Sequence, residues 1–600
     1  MDTMRKNRWI VGLALLGLTA CLKPYEDTSF VPQPAVITWS EPSKSVGKDA
    51  TEFQITLHSN LPWRAVSSVS WLRVTPSRGL GDEVLTVKVS KNRTPEVRSG
   101  ILRVIVTEDQ YSEYTVTQAA SEGGGSSNTY FARPDGDPAA SGLSWANATS
   151  LSNAIDLSGD GDVILLAAGV YTPEAFLEGS EETDSRDKTF QIHSNFTLQG
   201  GYPANPDDEA FDPVADYDPS VNVTTLSGTM ADGKQAYHVV TVFAPKAAGH
   251  KAALKGLTIT GGLTGDAEQK ESFVSAGGSQ FSRAYGAGIN VGASVLELTD
   301  CIITGNMANL HAAGAYFNAQ SEVYMTDCRV VSNESMNNAG GVWNCGGSVY
   351  MNRCSISNNI SGEMAGGFYS INSDGIFSLS RIYNTTISGN STTKVRDDRS
   401  GGGAYIRANS DAVFVNCTFY NNLSGNGGAI EGHGANSESK YLVRLINCTV
   451  TGNTARLLGG GVCLWNNYGA LNIHNCIISG NTCDTGADVG IGTAVGANAP
   501  NLSYEATIVG KDLYSSYGVK VAGWSFETAT MLSEFGMWGG RTQTCTLVDG
   551  PANPAASEGM TKDALVALGA SLEPAVEASV FDTDQRGEER TRNTIGATTL

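Results

Sequence analysis

Asp300-Cys301-Ile302-Ile303-Thr304-Gly305-Asn306 opens a pattern that returns as DCRVVSN (327–333), RCSISNN (353–359), NTTISGN (384–390), NCTFYNN (416–422), NCTVTGN (447–453) and NCIISGN (475–481). The second residue of each copy is an anchor: Cys301, Cys328, Cys354, Thr385, Cys417, Cys448 and Cys476. The steps between anchors are 27, 26, 31, 32, 31 and 28 residues. Five residues after each anchor stands an asparagine, from Asn306 to Asn481. A weaker copy, LKGLTITGG (254–262), precedes them with Leu257 at the anchor place. Repeats of this length belong to solenoids, propellers or arrays.

Three features select a right-handed parallel β-helix with three-strand coils. Apolar residues in VYMTDCRVV and LNIHNCIIS recur at every second position, which is strand rather than helix periodicity. Each repeat carries a glycine or small-residue element (YGAGI, AAGAY, AGGVW, AGGFY, GGGAY, NGGAI, GGGVC), expected to supply positive φ at a sharp corner. The asparagine column suits stacked coils, because Asn tolerates a left-handed backbone and its amide can bond its counterpart one coil away, about 4.8 Å on. A propeller blade needs four antiparallel strands per period, and only about three short ones are legible. The varying period fits coils whose corners absorb extra residues.

Outward from this core, the chain has 600 residues, a formal net charge of -21 and 69 glycines. Several structural units are expected at this length. The acidic balance disfavours nucleic acid and any polyanion held by charge alone, and leaves neutral glycans open. Residues 1–21 read as an export signal, with basic MDTMRKNR before the apolar WIVGLALLGL, a run too short to span a bilayer. Leu18-Thr19-Ala20-Cys21 resembles the bacterial lipobox, which implies a lipid on Cys21, cleavage before it and a membrane-bound chain. Leu22 is not the aspartate associated with inner-membrane retention, so an outer-membrane or cell-surface location is expected. Residues 22–34 are then a tether.

Residues 35–120 read as a small antiparallel sandwich, with strands FQITLH, WLRVTP, VLTVKVS, GILRVIVT and YTVTQ. Trp63, Trp71-Leu72, Pro76, Gly79, Gly81, Asn92, Arg98, Gly100 and the closing TVTQAA resemble a BACON domain. That resemblance implies an immunoglobulin-like module at the N-terminus with a proposed carbohydrate-binding role. Trp63 and Trp71 are candidates for sugar stacking or for the core. SEGGGSSN (121–128) is read as a flexible linker, leaving the sandwich as a stalk. Residues 129–250 hold a short helix around Leu151–Leu157 and a strand at Val163–Ala167. They resemble the N-terminal cap of secreted β-helix proteins, a broad family that includes adhesin-like proteins, polysaccharide lyases and hydrolases. Regular coils follow over 251–510. Residues 511–600 are expected to form irregular coils and a cap, and FDTDQRGEERTRNTIGA resembles the closing D-x-x-G-x-x-R…IGA segment of that family, with Thr598 where an acidic residue is usual.

Four sets of residues are candidate sites. Calcium is the one cofactor the sequence offers: PDDEAFDPVADYDP (206–219) gathers Asp207, Asp208, Asp212 and Asp216 without a fixed calcium-loop spacing. The anchor cysteines lack any C-x-x-C, which excludes a zinc knuckle and leaves buried thiols or disulfides between coils. Counting two residues past each glycine corner gives Asn290, Tyr316, Trp343, Tyr369, Tyr405, Ile430 and Cys463. Tyr316, Trp343, Tyr369 and Tyr405 are expected to point outward by strand alternation, as sugar-stacking rings or as a sheet-stabilising stack. Catalysis would draw on Lys394, Arg396 and Asp397 in the inserted KVRDDRS, with Arg407, Glu431 and His433 on nearby coils. The sequence thus predicts an envelope lipoprotein that binds or adheres to glycans through its β-helix. A polysaccharide lyase or glycoside hydrolase, and a structural surface protein without ligand, are the alternatives.

Overall fold

The computed structural model describes residues 34–510 and 526–600, apart from 70, 90–91, 93–96, 108, 121–126, 248, 373–376, 395–399, 435–439, 466–467, 485–487 and 493–500. Alternation writes the first unit directly. In Thr51–Ser59 and Glu83–Val89 every second side chain is buried, and the two strands pair antiparallel. A four-stranded and a five-stranded sheet close over Ile55, Leu57, Leu85, Leu102, Val104 and Val116. One pair departs from the antiparallel expectation: Ser43–Val46 runs parallel to the strand ending at Gln118.

The second unit is a right-handed parallel β-helix. Sheet A has 12 strands from Thr129–Ala132 to Asn501–Glu505, sheet B has 11 from Gly169–Tyr171 to Ile508–Val509, and sheet C has 10 from Phe190–Ile192 to Val489–Ile491. A fourth sheet, D, adds 6 very short strands from Met307–Ala308 to Thr454–Leu458, so the middle coils have four strands rather than three. Each of those coils runs A, B, D, C. Side chains in register from coil to coil fill the core, as in Leu298, Met325, Met351, Ile382 and Phe414 of sheet A. The helix Leu151–Leu157 covers the first coil, with Ser150 capping its amino end and Leu151, Ala154 and Ile155 buried in the same core. It removes the exposed end that a solenoid would otherwise present.

The asparagine column is a continuous ladder. The backbone amide and the side-chain amide of each Asn donate to the Oδ1 of the next, from Asn306 through Asn333, Asn359, Asn390, Asn422 and Asn453 to Asn481, at 2.8–3.1 Å. Asp488 terminates it by accepting both bonds from Asn481. Two details differ from the sequence reading. The left-handed residues are those just before the ladder Asn (Ser332 at φ 56°, Asn358 at 55°, Asn421 at 53°) and not the ladder residues themselves. The corner before sheet C is turned by a glycine in four coils, as expected (Gly286, Gly401, Gly427 and Gly459, at φ 56–78°), but by Ala312, Ala339 or Ala365, at φ 54–57°, in three. The glycines after the corner residue meet a further need, close stacking: a Cβ on Gly341 would lie 2.4 Å from the Gly367 carbonyl oxygen.

The anchor residues face inward and are fully buried, and the anchor cysteines are free thiols rather than disulfides. Burial pushes the Cys328 and Cys417 thiols well above their ordinary value. Residues 526–600 do not continue the coils. They return along the outside of sheets A and B, where Leu565, Leu572, Val576 and Phe581 cover Val413, Val415 and Ile446. The closing motif holds this segment. Asp584 accepts from the amides of Arg586, Glu588 and Thr599, while buried Arg590 donates to the Gly596 carbonyl and to Asn416. Among the described residues no helix is long and apolar enough to cross a membrane.

The sandwich is docked on the β-helix. Arg73 and Lys88 both bind Asp156 of the capping helix, at 3.0 and 3.3 Å, Arg78 pairs with Glu181, and Ser77 donates to the Ser180 carbonyl at 3.1 Å. A free-standing stalk would not make these contacts. The linker residues 121–126 lie outside the described residues.

Candidate functional site: an aromatic file at the corner of sheets D and C

Sheet C presents its even column outward. Asn290, Tyr316, Trp343, Tyr369 and Tyr405 are in register on successive strands, flanked by inward Ala315, Val342, Phe368 and Ala404. The next member is Glu431, not Ile430, which faces the core. The sequence count slips there because NGGAI begins one residue earlier, placing the left-handed corner at Gly427. A second column stands beside the first, one residue before each corner. Tyr285, His311, Asn338 and Met364 bridge one another from coil to coil.

The two columns interlock into one file of rings. Tyr285 contacts His311, Tyr316 and Trp343 at centroid distances of 5.2, 5.4 and 6.1 Å. Trp343 meets His311 and Tyr316 edge-on at 5.0 and 5.7 Å. The file continues through Tyr369 (4.8 Å), Tyr405 (5.3 Å), His433 (6.2 Å) and Trp465 (6.5 Å). Six coil steps make it roughly 29 Å long.

Exposure divides the file. Tyr285, His311, Tyr316 and Trp343 are partly exposed. Tyr369 and Tyr405 retain 1% and 0% of their surface, so the expectation of four outward rings open to solvent is corrected at these two. They do point away from the β-helix core, but Met364, Ala365 and the neighbouring rings close over them. The open end carries unspent polarity: Trp343 Nε1 and His311 Nδ1 are buried atoms without a hydrogen-bond partner. Burial, reinforced by the Lys270 charge and opposed by Glu363, pulls His311 down to about 4, so its ring is neutral at pH 7. Tyr285 and His311 escaped the sequence reading because only the position after the corner was counted.

At the far end, Arg407 and His433 lie side by side on adjacent strands, two positions beyond Tyr405 and Glu431. Glu431 is fully buried, with Oε2 accepting from the Ser400 amide at 2.8 Å and Oε1 3.6 Å from His433 Nδ1. Lys394 is elsewhere, in an exposed ion pair with Glu363 at 3.1 Å. Arg396 and Asp397 lie outside the described residues, as does Cys21.

The acidic loop is built from turns. Asp208 accepts from the Trp145 and Ala146 amides, and Asp212 from those of Val214 and Ala215. Asp207 accepts from the Glu209 amide, and Asp216 from that of Asp212. Among the described residues no three acidic, His or Cys side chains gather as a metal site. Trp63 and Trp71 are core residues: Trp63 Nε1 donates to the Gly81 carbonyl, and Arg98 stacks on Trp71 at 4.3 Å.

Residues 287–476 match the family model described as right handed beta helix region, and residues 37–121 match the one described as viral BACON domain. No curated protein matches the chain. Among solved structures, the pectate lyase Pel9A is similar over 68% of this chain and 85% of its own, at 14% identity and a TM-score of 0.37. A Bacteroides ovatus GH5 xyloglucanase in complex with a XXXG heptasaccharide is similar over 28% of this chain and 37% of its own, at 13% identity and a TM-score of 0.14. The chain is a right-handed parallel β-helix protein with a BACON domain at its N-terminus.

Proposed function

We propose that this protein is a lipid-anchored cell-surface protein that binds a neutral glycan along the open end of the aromatic file. One observation carries this reading. Tyr285, His311, Tyr316 and Trp343 form a partly exposed ring cluster on a rigid sheet, and two buried ring nitrogens in it lack partners. Aromatic faces stack on the apolar faces of sugars at low entropic cost, and an indole N–H beside a neutral imidazole offers a hydroxyl both a donor and a second polar contact. The net charge of -21 favours an uncharged chain over a polyanionic one. The anchor follows from the lipobox-like Leu18–Cys21: Cys21→Ser is expected to move the protein from the membrane fraction to the soluble one. Persistence in washed membranes would place the anchor elsewhere.

A second reading rests on the far end, where Glu431 beside His433 has the makings of an acid–base pair with Arg407 next to it. It would make the protein a polysaccharide-cleaving enzyme. A glycan-array screen of the purified protein, with product analysis for every glycan bound, separates the two. Binding without cleavage supports the first; new reducing ends or unsaturated products, abolished in Glu431→Gln, support the second.

A further inference from the structure

The junction between the sandwich and the β-helix forms a partly open cavity of about 490 Å³. One wall comes from the sandwich, with Arg64, Arg73 and Thr75, and the other from the β-helix, with Glu178, Gln191 and Ser275. The loop that forms the second wall is held tightly. Gln191 accepts from the Glu178 amide at 2.9 Å and donates to the Phe176 carbonyl at 2.8 Å. Gly179, at φ 79°, lies so close to Ser275 that a Cβ would sit 2.2 Å from its carbonyl oxygen.

The cavity holds polar atoms that the protein does not satisfy. Arg73 spends Nη1 on Asp156 at 3.0 Å, while its Nε and Nη2 are buried and make no hydrogen bond. These two nitrogens form one edge of the guanidinium, the edge that grips a pair of acceptors side by side. Opposite in character, Glu178 Oε2 is buried and without a partner. Its carboxyl is raised to about 7 by burial, with the Arg73 charge and the Gly277 amide pulling it back. Leaving such groups unpaired is costly, so the site is poised for a ligand that supplies acceptors and a donor at once.

We propose that this interdomain cavity is a second ligand site, which binds one or two neutral sugar residues through a vicinal pair of hydroxyls. Each hydroxyl oxygen accepts from one nitrogen of the Arg73 edge, and one of the two donates its proton to Glu178. An anionic ligand fits less well, because Asp156, Glu174 and Glu182 already balance Arg64, Arg73 and Lys88 around the cavity before Glu178 is counted. The size suits one or two sugar rings. The site is separate from the aromatic file and needs both domains, so it gives the docked sandwich a role that a spacer would not have.

The test is calorimetric titration of the full chain with D-glucose, D-galactose and D-mannose, and with D-galacturonate as the charged counterpart. At least one neutral sugar is expected to bind saturably at one site per chain. Glu178→Gln keeps the shape and should weaken that binding by about tenfold or more, as should Arg73→Lys, which loses the paired edge. Trp343→Ala should leave it unchanged, which separates this site from the aromatic file. Saturable binding of no neutral sugar, preference for galacturonate, or equal affinity in Glu178→Gln and Arg73→Lys would each overturn the proposal.

Discussion

Two columns run the length of the coils, and they differ in how their polar atoms end. In the asparagine ladder each amide between Asn333 and Asn453 is consumed: two bonds to the next Asn and one to a carbonyl of the preceding coil, as Asn390 makes to Asn422 and Ile356. Nothing remains for a ligand. The aromatic file is built by the same repeat, yet it leaves Trp343 Nε1 and His311 Nδ1 unspent at a partly exposed end. Saturation marks the first column as scaffold. Incomplete saturation beside solvent marks the second as a place where something else binds.

The comparison is open to attack at its strongest point first. Asn390→Leu strips the backbone and side-chain N–H groups of Asn359 of their shared acceptor, and removes the side-chain donor from Asn422 Oδ1, which keeps the backbone amide, and from the Ile356 carbonyl, all of them buried. Several unpaired buried groups should cost about 4 kcal/mol, read as a lower urea midpoint. An unchanged midpoint would mean that solvent reaches the ladder. Next, Tyr405→Ala in the closed part of the file should cost about 3 kcal/mol by opening a cavity, clearly more than Trp343→Ala in the open part. Equal losses would erase the division between the two ends. The smallest effect concerns the anchor thiols. Buried and pushed toward the protonated form, Cys328, Cys417 and Cys476 should resist alkylation in the native protein and react fully in denaturant. Native labelling of any of the three would show that the coils open.

Much of this was legible in the sequence because a solenoid repeats its instructions. The anchor and asparagine columns, the capping helix at Leu151–Leu157 and the strand at Val163–Ala167 all follow from spacing and alternation. What failed to show depends on packing between segments distant in the chain. Burial of Tyr369 and Tyr405 is set by Met364, Ala365 and neighbouring rings, which no periodicity reports. The lateral return of residues 526–600 did leave a trace: Val413-Phe414-Val415 is apolar on both faces, where a solvent-facing strand would alternate. The docking of the sandwich left none, since Arg73, Ser77 and Arg78 look like ordinary surface residues until Asp156, Ser180 and Glu181 are placed beside them.

Whether the open end of the aromatic file binds sugar is decided by Trp343→Ala. The variant and the natural protein would be titrated with the best ligand from a glycan array and melted side by side. A loss of binding of about tenfold or more is expected, with a smaller fall in melting temperature than Tyr405→Ala causes, because the ring is partly exposed. Undiminished binding by the folded variant, whatever its melting temperature, would contradict the account and leave the file as packing alone.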